Sequence, residues 1–157
     1  MAMQIITTAF KPNEPIPLKY SRDGDDVSPA LSWTGAPTDT QEFALIMDDP
    51  DAPTPQPWVH WVMYKIPPNC AALSDNLPKT AQLKDPSGAL QGKNSWNLVG
   101  YNGPQPPHGH GTHHYHFRLY ALDAPLDVAA ELDKGQVLSK MKGHILAEAE
   151  IVGTHQR

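Results

Sequence analysis

Three short polar groups in this sequence combine residue types that could bind or transform a small ligand. Asp49 and Asp51 stand in the segment DPDAP, directly after the apolar run FALIM. His60 stands in the middle of the run WVHWV, and His113 and Tyr115 lead into the run HFRLYAL. Apolar runs of this length are typical of buried strands. The sequence therefore predicts polar side chains held at the ends of strands, or inside them, next to an apolar core.

A convergence of these groups would form a pocket for a small anion. His60, His113 and Tyr115 offer imidazole N–H and phenol O–H groups, which suit phosphate or carboxylate. Asp49 would orient an imidazole or bind a cationic head group. Aromatic walls with a few polar groups are the usual make-up of a small-ligand pocket. The alternative for His60 is a core histidine bonded to a backbone carbonyl, and the residues alone leave both interpretations open.

Five of the eight histidines lie between residues 103 and 116. Alternation along the predicted strand places His113 on the same face as Tyr115, pointing toward the core. The remaining four fall on the opposite face or on the preceding glycine-containing loop: His114, His116, His108 and His110. We therefore expect these four mostly to face water, so that the crowded histidines do not form a single site.

Other kinds of active site find little support. Zinc sites favour three or four ligands at recognised spacing, and the histidine-rich stretch has no second cluster and no HExxH motif, so we expect neither a metal nor another cofactor. The sequence has no G-x-S-x-G motif, no phosphate-binding P-loop and no dinucleotide fingerprint. Cys70, the single cysteine, follows a Pro-Pro-Asn turn and is interpreted as inert.

Composition limits the partners and the compartment. The chain has 157 residues, which is the length of one domain, so we expect a single domain over residues 1–157. The formal net charge is −5 and there is no basic run, which argues against nucleic acid and anionic membrane surfaces. No apolar stretch reaches the roughly 20 residues of a membrane span. With no signal peptide and no cysteine pair, the expected location is cytoplasmic.

Short apolar runs separated by prolines predict a mainly β fold. There are 17 prolines, placed between the runs as in the turns of a strand-rich domain. The clearest strand is Trp58 to Ile66, which is apolar on both faces and therefore expected in the interior of a sheet. Only residues 136–149 have convincing helical spacing, with a short strand after them. The other predicted strands are residues 4–8, 43–47 and 114–122, with an edge strand over 16–20. Together they predict a β-sandwich with few helices.

Five segments together resemble the phosphatidylethanolamine-binding protein family, and most closely its short prokaryotic branch described as Raf-kinase-inhibitor-like. The likeness runs in order over nearly the whole chain. Its most specific parts are the DPDAP box, the strand histidine His60 and the GPxPPxGxGxHxY box at residues 103–115. The segments are SPALSW (28–33), FALIMDDPDAPT (43–54), WVHWVMYKIP (58–67), QGKNSWNLVGYNGPQPPHGHGTHHYHFRLYALD (91–123) and MKGHILAEAEIVGTHQR (141–157).

The resemblance implies a fold and a ligand site. The fold is a β-sandwich of a large mixed sheet packed on a smaller sheet, with a C-terminal helix. The pocket takes phosphate, acetate or a phosphoethanolamine head group. Carried over motif by motif, its residues here are Asp49, Pro53, Trp58, His60, Gly103, Pro106, Pro107, His113 and Tyr115. A homodimer and a kinase-type signalling partner are further implications of the branch.

Two departures from the family pattern stand near this site. His114 occupies a position where relatives often have arginine, and Gln105 one where relatives in this branch often have cysteine. The chain also looks to lack the C-terminal segment with which longer eukaryotic members close the pocket.

These observations lead to one expected function and two alternatives. We expect a non-enzymatic protein that binds small anionic ligands, phosphate or phosphoethanolamine-type head groups, and modulates a signalling partner. The first alternative is a hydrolase in which Asp49 and His60 act as acid and base on a bound phosphate or ester. The second is a protein-interaction scaffold whose pocket is vestigial. Fold kinship alone does not decide among them.

Overall fold

Two β-sheets and one α-helix make up the structure, a computed structural model that describes residues 2–157. A three-stranded sheet has the order β1-β2-β5, and a five-stranded sheet has the order β6-β4-β3-β7-β8. The elements along the chain are β1 (Gln4–Ile6), a 3₁₀ helix (Leu18–Tyr20), β2 (Leu31–Thr34), β3 (Glu42–Asp49), β4 (Trp58–Ile66), β5 (Ala72–Leu73), β6 (Leu90–Gln91), β7 (His113–Leu122), α1 (Lys134–Met141) and β8 (Ile145–His155). The predicted mainly β sandwich with a helix near the C-terminus is confirmed.

The inter-sheet core lies between the two sheets and contains most of the buried apolar side chains. Trp33 of the small sheet packs on Phe43 of the large one, with their ring centroids 5.4 Å apart. Along β7 the alternate residues Tyr115, Phe117 and Leu119 are buried on this side, as the period of two predicts. Along β7 the inner face of the large sheet is therefore apolar after His113, the polar residue with which the strand begins.

The helix-side core covers the opposite face of the large sheet. Val137 and Met141 of α1 are fully buried against side chains from β3, β4 and β7, namely Ala44, Ile46, Val62, Tyr64, Tyr120 and Leu122. Because β3 and β4 are covered on both faces, nearly all their residues are buried, and each strand has an uninterrupted apolar run in its middle, as the sequence pattern indicated. The interior position predicted for the strand Trp58–Ile66 is confirmed.

The resemblance implied a mixed large sheet, and the observed sheet is almost entirely antiparallel. Every pairing between its named strands is antiparallel. Its parallel component among residues 2–157 is one isolated bridge between Pro15 and Thr154, on the outer edge of β8.

Two predicted elements are corrected by the structure. The predicted edge strand over residues 16–20 is not formed: Ile16 makes one backbone hydrogen bond to Thr154 of β8, and Leu18–Tyr20 is a 3₁₀ helix. Pro17 lacks the N–H group with which the ladder would continue. The predicted helix over 136–149 ends at Met141, where Gly143 with φ +83° turns the chain. Residues 145–149 then pair with β7 as the start of the long strand β8.

Candidate functional site

A β-bulge brings His60 to the end of the inter-sheet core. On β3 the partners of consecutive residues Met47 and Asp48 are Trp61 and Val59, so His60 is an extra residue in β4. A bulge re-aims the side chains around it. Val59 keeps its place in the helix-side core, whereas His60 turns to the opposite side, where Trp61 is buried. Strict alternation would not have predicted this.

A cavity of about 200 Å³ lies at this end of the core, and eight of the nine predicted site residues line it. They come from the end of β3 and the loop after it, from β4, from the proline-rich loop before β7 and from β7 itself: Asp49, Pro53, Trp58, His60, Pro106, Pro107, His113 and Tyr115. Sequence reasoning missed four more lining residues, Ala52, Thr54, Trp96 and Gln105. Three of these flank predicted site residues in sequence, and Trp96 belongs to a segment that contributed to the family resemblance.

Gly103 is the one predicted site residue that does not line the cavity. Its backbone N–H donates to Oδ1 of Asp26 at 2.7 Å, and a side chain at this position would overlap the backbone carbonyl oxygen of Tyr20. Asp26 also accepts a hydrogen bond from the side-chain amide of Asn102 at 2.8 Å. Gly103 therefore supports the wall behind the cavity, where only glycine fits, and Asp26 anchors that wall.

His60 is a buried neutral imidazole with a fixed tautomer. Its side chain is only 2% exposed, and Nδ1 lies 2.7 Å from the carbonyl oxygen of Asn102. A carbonyl can only accept, so Nδ1 carries the proton and Nε2 carries a lone pair. Burial lowers the pKa of His60 to about 4, although backbone groups of Asn102 and Gly103 oppose this. Both interpretations of His60 therefore hold, since the ring is bonded to a backbone carbonyl and also lines the cavity.

Asp49 and His113 form a buried hydrogen-bonded pair. His113 Nδ1 lies 2.6 Å from Asp49 Oδ2, and the other carboxylate oxygen accepts from the backbone N–H of Asp51 at 2.8 Å. Burial raises the pKa of Asp49, while the bonds from His113 and Asp51 act in the opposite direction. Of the two predicted roles for Asp49, the structure places it in the first, orienting an imidazole. Both of its oxygens are occupied.

His110 extends this pair toward the solvent. Its Nδ1 lies 2.6 Å from Nε2 of His113, although His110 itself is exposed. His110 therefore faces water as predicted, but the glycine-flanked loop also brings it into contact with His113, which the sequence did not predict. The sequence predicted that the imidazole N–H groups of His60 and His113 donate to a ligand. In the structure these N–H groups donate instead to the carbonyl oxygen of Asn102 and to the carboxylate of Asp49.

Aromatic side chains supply the cavity walls and two donors. The His60 ring stands edge-on to Tyr115 and to Trp96, each with centroids 5.1 Å apart. Burial, with Asp49 and Asp51 nearby, raises the pKa of Tyr115, so its hydroxyl stays protonated as a donor. The indole N–H of Trp58 is buried and has no partner within residues 2–157, which makes it the second candidate donor to an occupant.

The C-terminal residues brace the proline-rich rim. Arg157 donates from Nη1 to the carbonyl oxygen of Pro106 at 3.2 Å, and its own carbonyl accepts from the N–H of Gly109. Arg157 Nε also lies 2.9 Å from a carboxylate oxygen of Asp23. The stiff loop and its bracing arginine together hold the cavity open.

Other parts of the described structure are weaker candidates for a metal-binding or ligand-binding site. Within residues 2–157 no group of three or more His, Cys, Asp or Glu side chains is arranged to hold a metal ion. A larger groove of about 860 Å³ lies between residues 93–97 and the start of α1, but most of its polar side chains are solvated. None of the helices in the described part of the chain is long and apolar enough to span a membrane.

Comparison with known proteins agrees with this fold. The phosphatidylethanolamine-binding protein family matches residues 6–156. A UPF0098 protein of Methanothermobacter thermautotrophicus is 45% identical over 155 residues, covering 99% of both chains. The crystal structure of the Chlamydia trachomatis phosphatidylethanolamine-binding protein homolog CT736 is similar with a TM-score of 0.88 and 38% identity, covering 99% of this chain and 98% of that one.

The fold also resembles that of a more distant relative. Escherichia coli YbcL, described as a new member of the mammalian family, has a TM-score of 0.90 and 30% identity, covering 100% of this chain and 99% of that one. The family match spans nearly the whole sequence and includes all the residues of the cavity. The chain therefore belongs to the phosphatidylethanolamine-binding protein family.

Proposed function

We propose that this protein binds small anionic ligands, phosphate or phosphoethanolamine-type head groups, in the cavity and does not transform them. The observation that carries the proposal is the convergence of His60, His113 and Tyr115 from two strands into one aromatic-walled cavity. The Tyr115 hydroxyl is a permanent donor, and such donors suit phosphate and carboxylate oxygens. Membership of the family supports the same interpretation.

The size of the cavity favours a head group over a whole lipid. Pockets for drug-sized ligands occupy roughly 300–1,000 Å³. This cavity, at about 200 Å³, matches a phosphate with a short substituent. Acyl chains would have to remain outside it, beyond the proline-rich rim.

Binding is favoured over hydrolysis by the pairing of Asp49. A hydrolase of the type considered above would use Asp49 and His60 as an acid and base pair. Asp49 is instead hydrogen-bonded to His113 and to the backbone of Asp51, and the proton of His60 is held by Asn102. Asp49 therefore serves to orient His113.

Calorimetric titration of chelator-treated protein with phosphoethanolamine and with inorganic phosphate tests the proposal. We expect saturable binding by the wild type and a loss of about tenfold in affinity for Tyr115→Phe, which removes one hydrogen bond to a charged group. Tyr120→Phe is the matched control, because Tyr120 lies on the same strand in the helix-side core. Absence of binding, or equal losses in the two variants, would exclude the cavity as the site. Release of phosphate from an ester would favour the hydrolase.

The protein partner forms a second part of the proposal. We propose a signalling protein of kinase type as the partner and a homodimer as the functional state, on the grounds of the family resemblance. If the protein is instead a scaffold with a vestigial pocket, Tyr115→Phe will lose phosphate binding and keep its partner in pull-down experiments. Light scattering of the purified chain tests the dimer.

A further inference from the structure

The cavity presents a hydrogen-bond acceptor where an anion pocket would be expected to present a donor. The proton of the buried His60 ring is on Nδ1, donated to the carbonyl oxygen of Asn102 at 2.7 Å. Nε2 is the ring nitrogen left for an occupant of the cavity, and in the neutral ring it carries a lone pair. An oxygen that itself carries only lone pairs would be repelled there.

The second histidine does not supply the missing positive donor. Nδ1 of His113 is engaged by the Asp49 carboxylate at 2.6 Å, and Nε2 lies against Nδ1 of His110 at the same distance. Apart from Asp49 and His113, the side chains that line the cavity are uncharged. The site therefore contains no cation that is free to neutralise an incoming dianion.

Acidic groups dominate the titratable surroundings of His60. Asp48 and Asp26 both favour its protonated form, but desolvation outweighs them. Asp48 is itself neutralised by Arg118 and Lys134. The charged and titratable groups around the ring are Asp48 and Asp49 from β3, Asp26 from the segment before β2, His113 and Tyr115 from β7, and Arg22, whose guanidinium lies over the Trp96 ring at 4.5 Å from its centroid.

We propose that the cavity selects oxyacids that still carry one proton, such as a phosphate monoester in its P–OH form, and rejects anions that have no proton to donate. The P–OH group donates to Nε2 of His60, while the unprotonated oxygens accept from the hydroxyl of Tyr115 and the indole N–H of Trp58. This deepens the proposed function and rests on it. It favours free phosphoethanolamine over the phosphodiester of an intact lipid head group, which has no such proton.

The cavity selects against anions without a proton because binding them requires a protonated His60, which costs free energy. An anion without a proton binds well only if His60 first takes a proton from water. With a pKa of about 4, about one molecule in a thousand has a protonated His60 at pH 7. A buried acceptor facing an unprotonated oxygen is left unsatisfied, which is how polar sites reject close analogues.

Inorganic phosphate and sulfate are the sharpest pair of probes. The two tetrahedral anions have nearly the same shape, but near neutral pH phosphate keeps a proton on one oxygen and sulfate does not. In chloride buffer at pH 7, calorimetry should give at least about tenfold tighter binding of phosphate. Methyl phosphate at pH 6 should likewise bind more tightly than dimethyl phosphate. These comparisons use the unaltered protein, so they do not depend on the folding of a variant.

His60→Gln tests the origin of the discrimination. The glutamine amide can donate as well as accept, so the phosphate-to-sulfate ratio should fall toward one. His114→Gln, an exposed position on the opposite face of β7, is the control and should keep the wild-type ratio. Equal affinities of the unaltered protein for phosphate and sulfate would overturn this inference and leave the proposed anion binding intact. No binding of either anion would overturn both.

Discussion

His113 Nδ1 lies 2.6 Å from Asp49 Oδ2, and the two side chains are 1% and 4% exposed. Their positions are 64 residues apart, at the end of β3 and at the start of β7. A carboxylate in this position holds the imidazole in one orientation and in one tautomer, with the proton on Nδ1. The pair thereby decides which ring atom of His113 faces His110 and the cavity.

Asp49→Asn should reverse this tautomer. Oδ1 of the new amide can keep the bond from the backbone N–H of Asp51, which leaves the NH₂ group as a donor toward His113. The imidazole proton then moves to Nε2, and the negative charge of Asp49 beside the cavity is removed. Both changes favour an anion, so we expect phosphate affinity to rise by about tenfold. Nitrogen chemical shifts of His113 report the tautomer, and calorimetry reports the affinity.

Asp51→Asn is the control for this change, because Asp51 is exposed and bonds His114 instead. An unchanged His113 spectrum in Asp49→Asn would contradict the assigned role of Asp49.

Acid should destabilise the protein through His60. The pKa of about 4 in the folded state lies below the ordinary value of 6.5. Between these values the unfolded chain takes up a proton on His60 and the folded chain does not. Stability is therefore lost as the pH falls from about 6.5 toward 4, by up to about 3 kcal/mol, and this contribution levels off below pH 4.

Urea unfolding of the wild type and of His60→Gln at pH 7 and about pH 4.5 measures this contribution. The glutamine variant cannot titrate at this position, so its free energy of unfolding should fall less with acid. If both proteins lose the same stability, His60 is not the buried neutral group described here.

Gly103→Ala should destabilise the fold by about 2 to 3 kcal/mol. The added methyl group would overlap the backbone carbonyl oxygen of Tyr20, and backbone cannot move aside cheaply. The displaced loop contains Pro106 and Pro107, so phosphate affinity should fall as well. Thermal or urea unfolding measures the first effect and calorimetry the second.

Gly135→Ala is the matched control, because Gly135 lies in α1 with ordinary space around it. Alanine is the better helix former, so this variant should be as stable as the wild type or more stable. If Gly103→Ala were as stable as the wild type, the loop could be displaced without loss of stability, and the assigned role of Gly103 would be wrong.

Asp26→Ala should lower the free energy of unfolding by about 2 to 3 kcal/mol, although no sequence motif pointed to this residue. It removes the acceptor for the N–H of Gly103 and for the side-chain amide of Asn102, both buried residues. Asp25→Ala, at the exposed neighbouring position, should be nearly neutral. Equal stability of the two variants in urea would show that Asp26 does not anchor the wall of the cavity.

The sequence by itself determined the main strands and most of the cavity. The run Trp58–Ile66 was predicted with its observed bounds, because apolar β-branched and aromatic residues flanked by prolines leave few alternatives. Alternation along β7 placed His113 and Tyr115 on the buried face, since the period of two is a local property of an extended backbone. The family resemblance then added Pro53, Pro106 and Pro107 to the site that the residues had already assigned to Asp49, His60, His113 and Tyr115.

Only the tertiary structure decided the features that depend on partners far along the chain. Residues 145–149 suit a helix or a strand, and pairing with β7 settled the choice. The bulge at His60 exists only in register with β3, and the bond between His113 and His110 only in the folded loop. The tautomer of His60 was set by a carbonyl 42 residues away. Patterns along a chain encode which side of a strand is buried, whereas hydrogen bonds between distant segments determine which buried atoms donate and which accept.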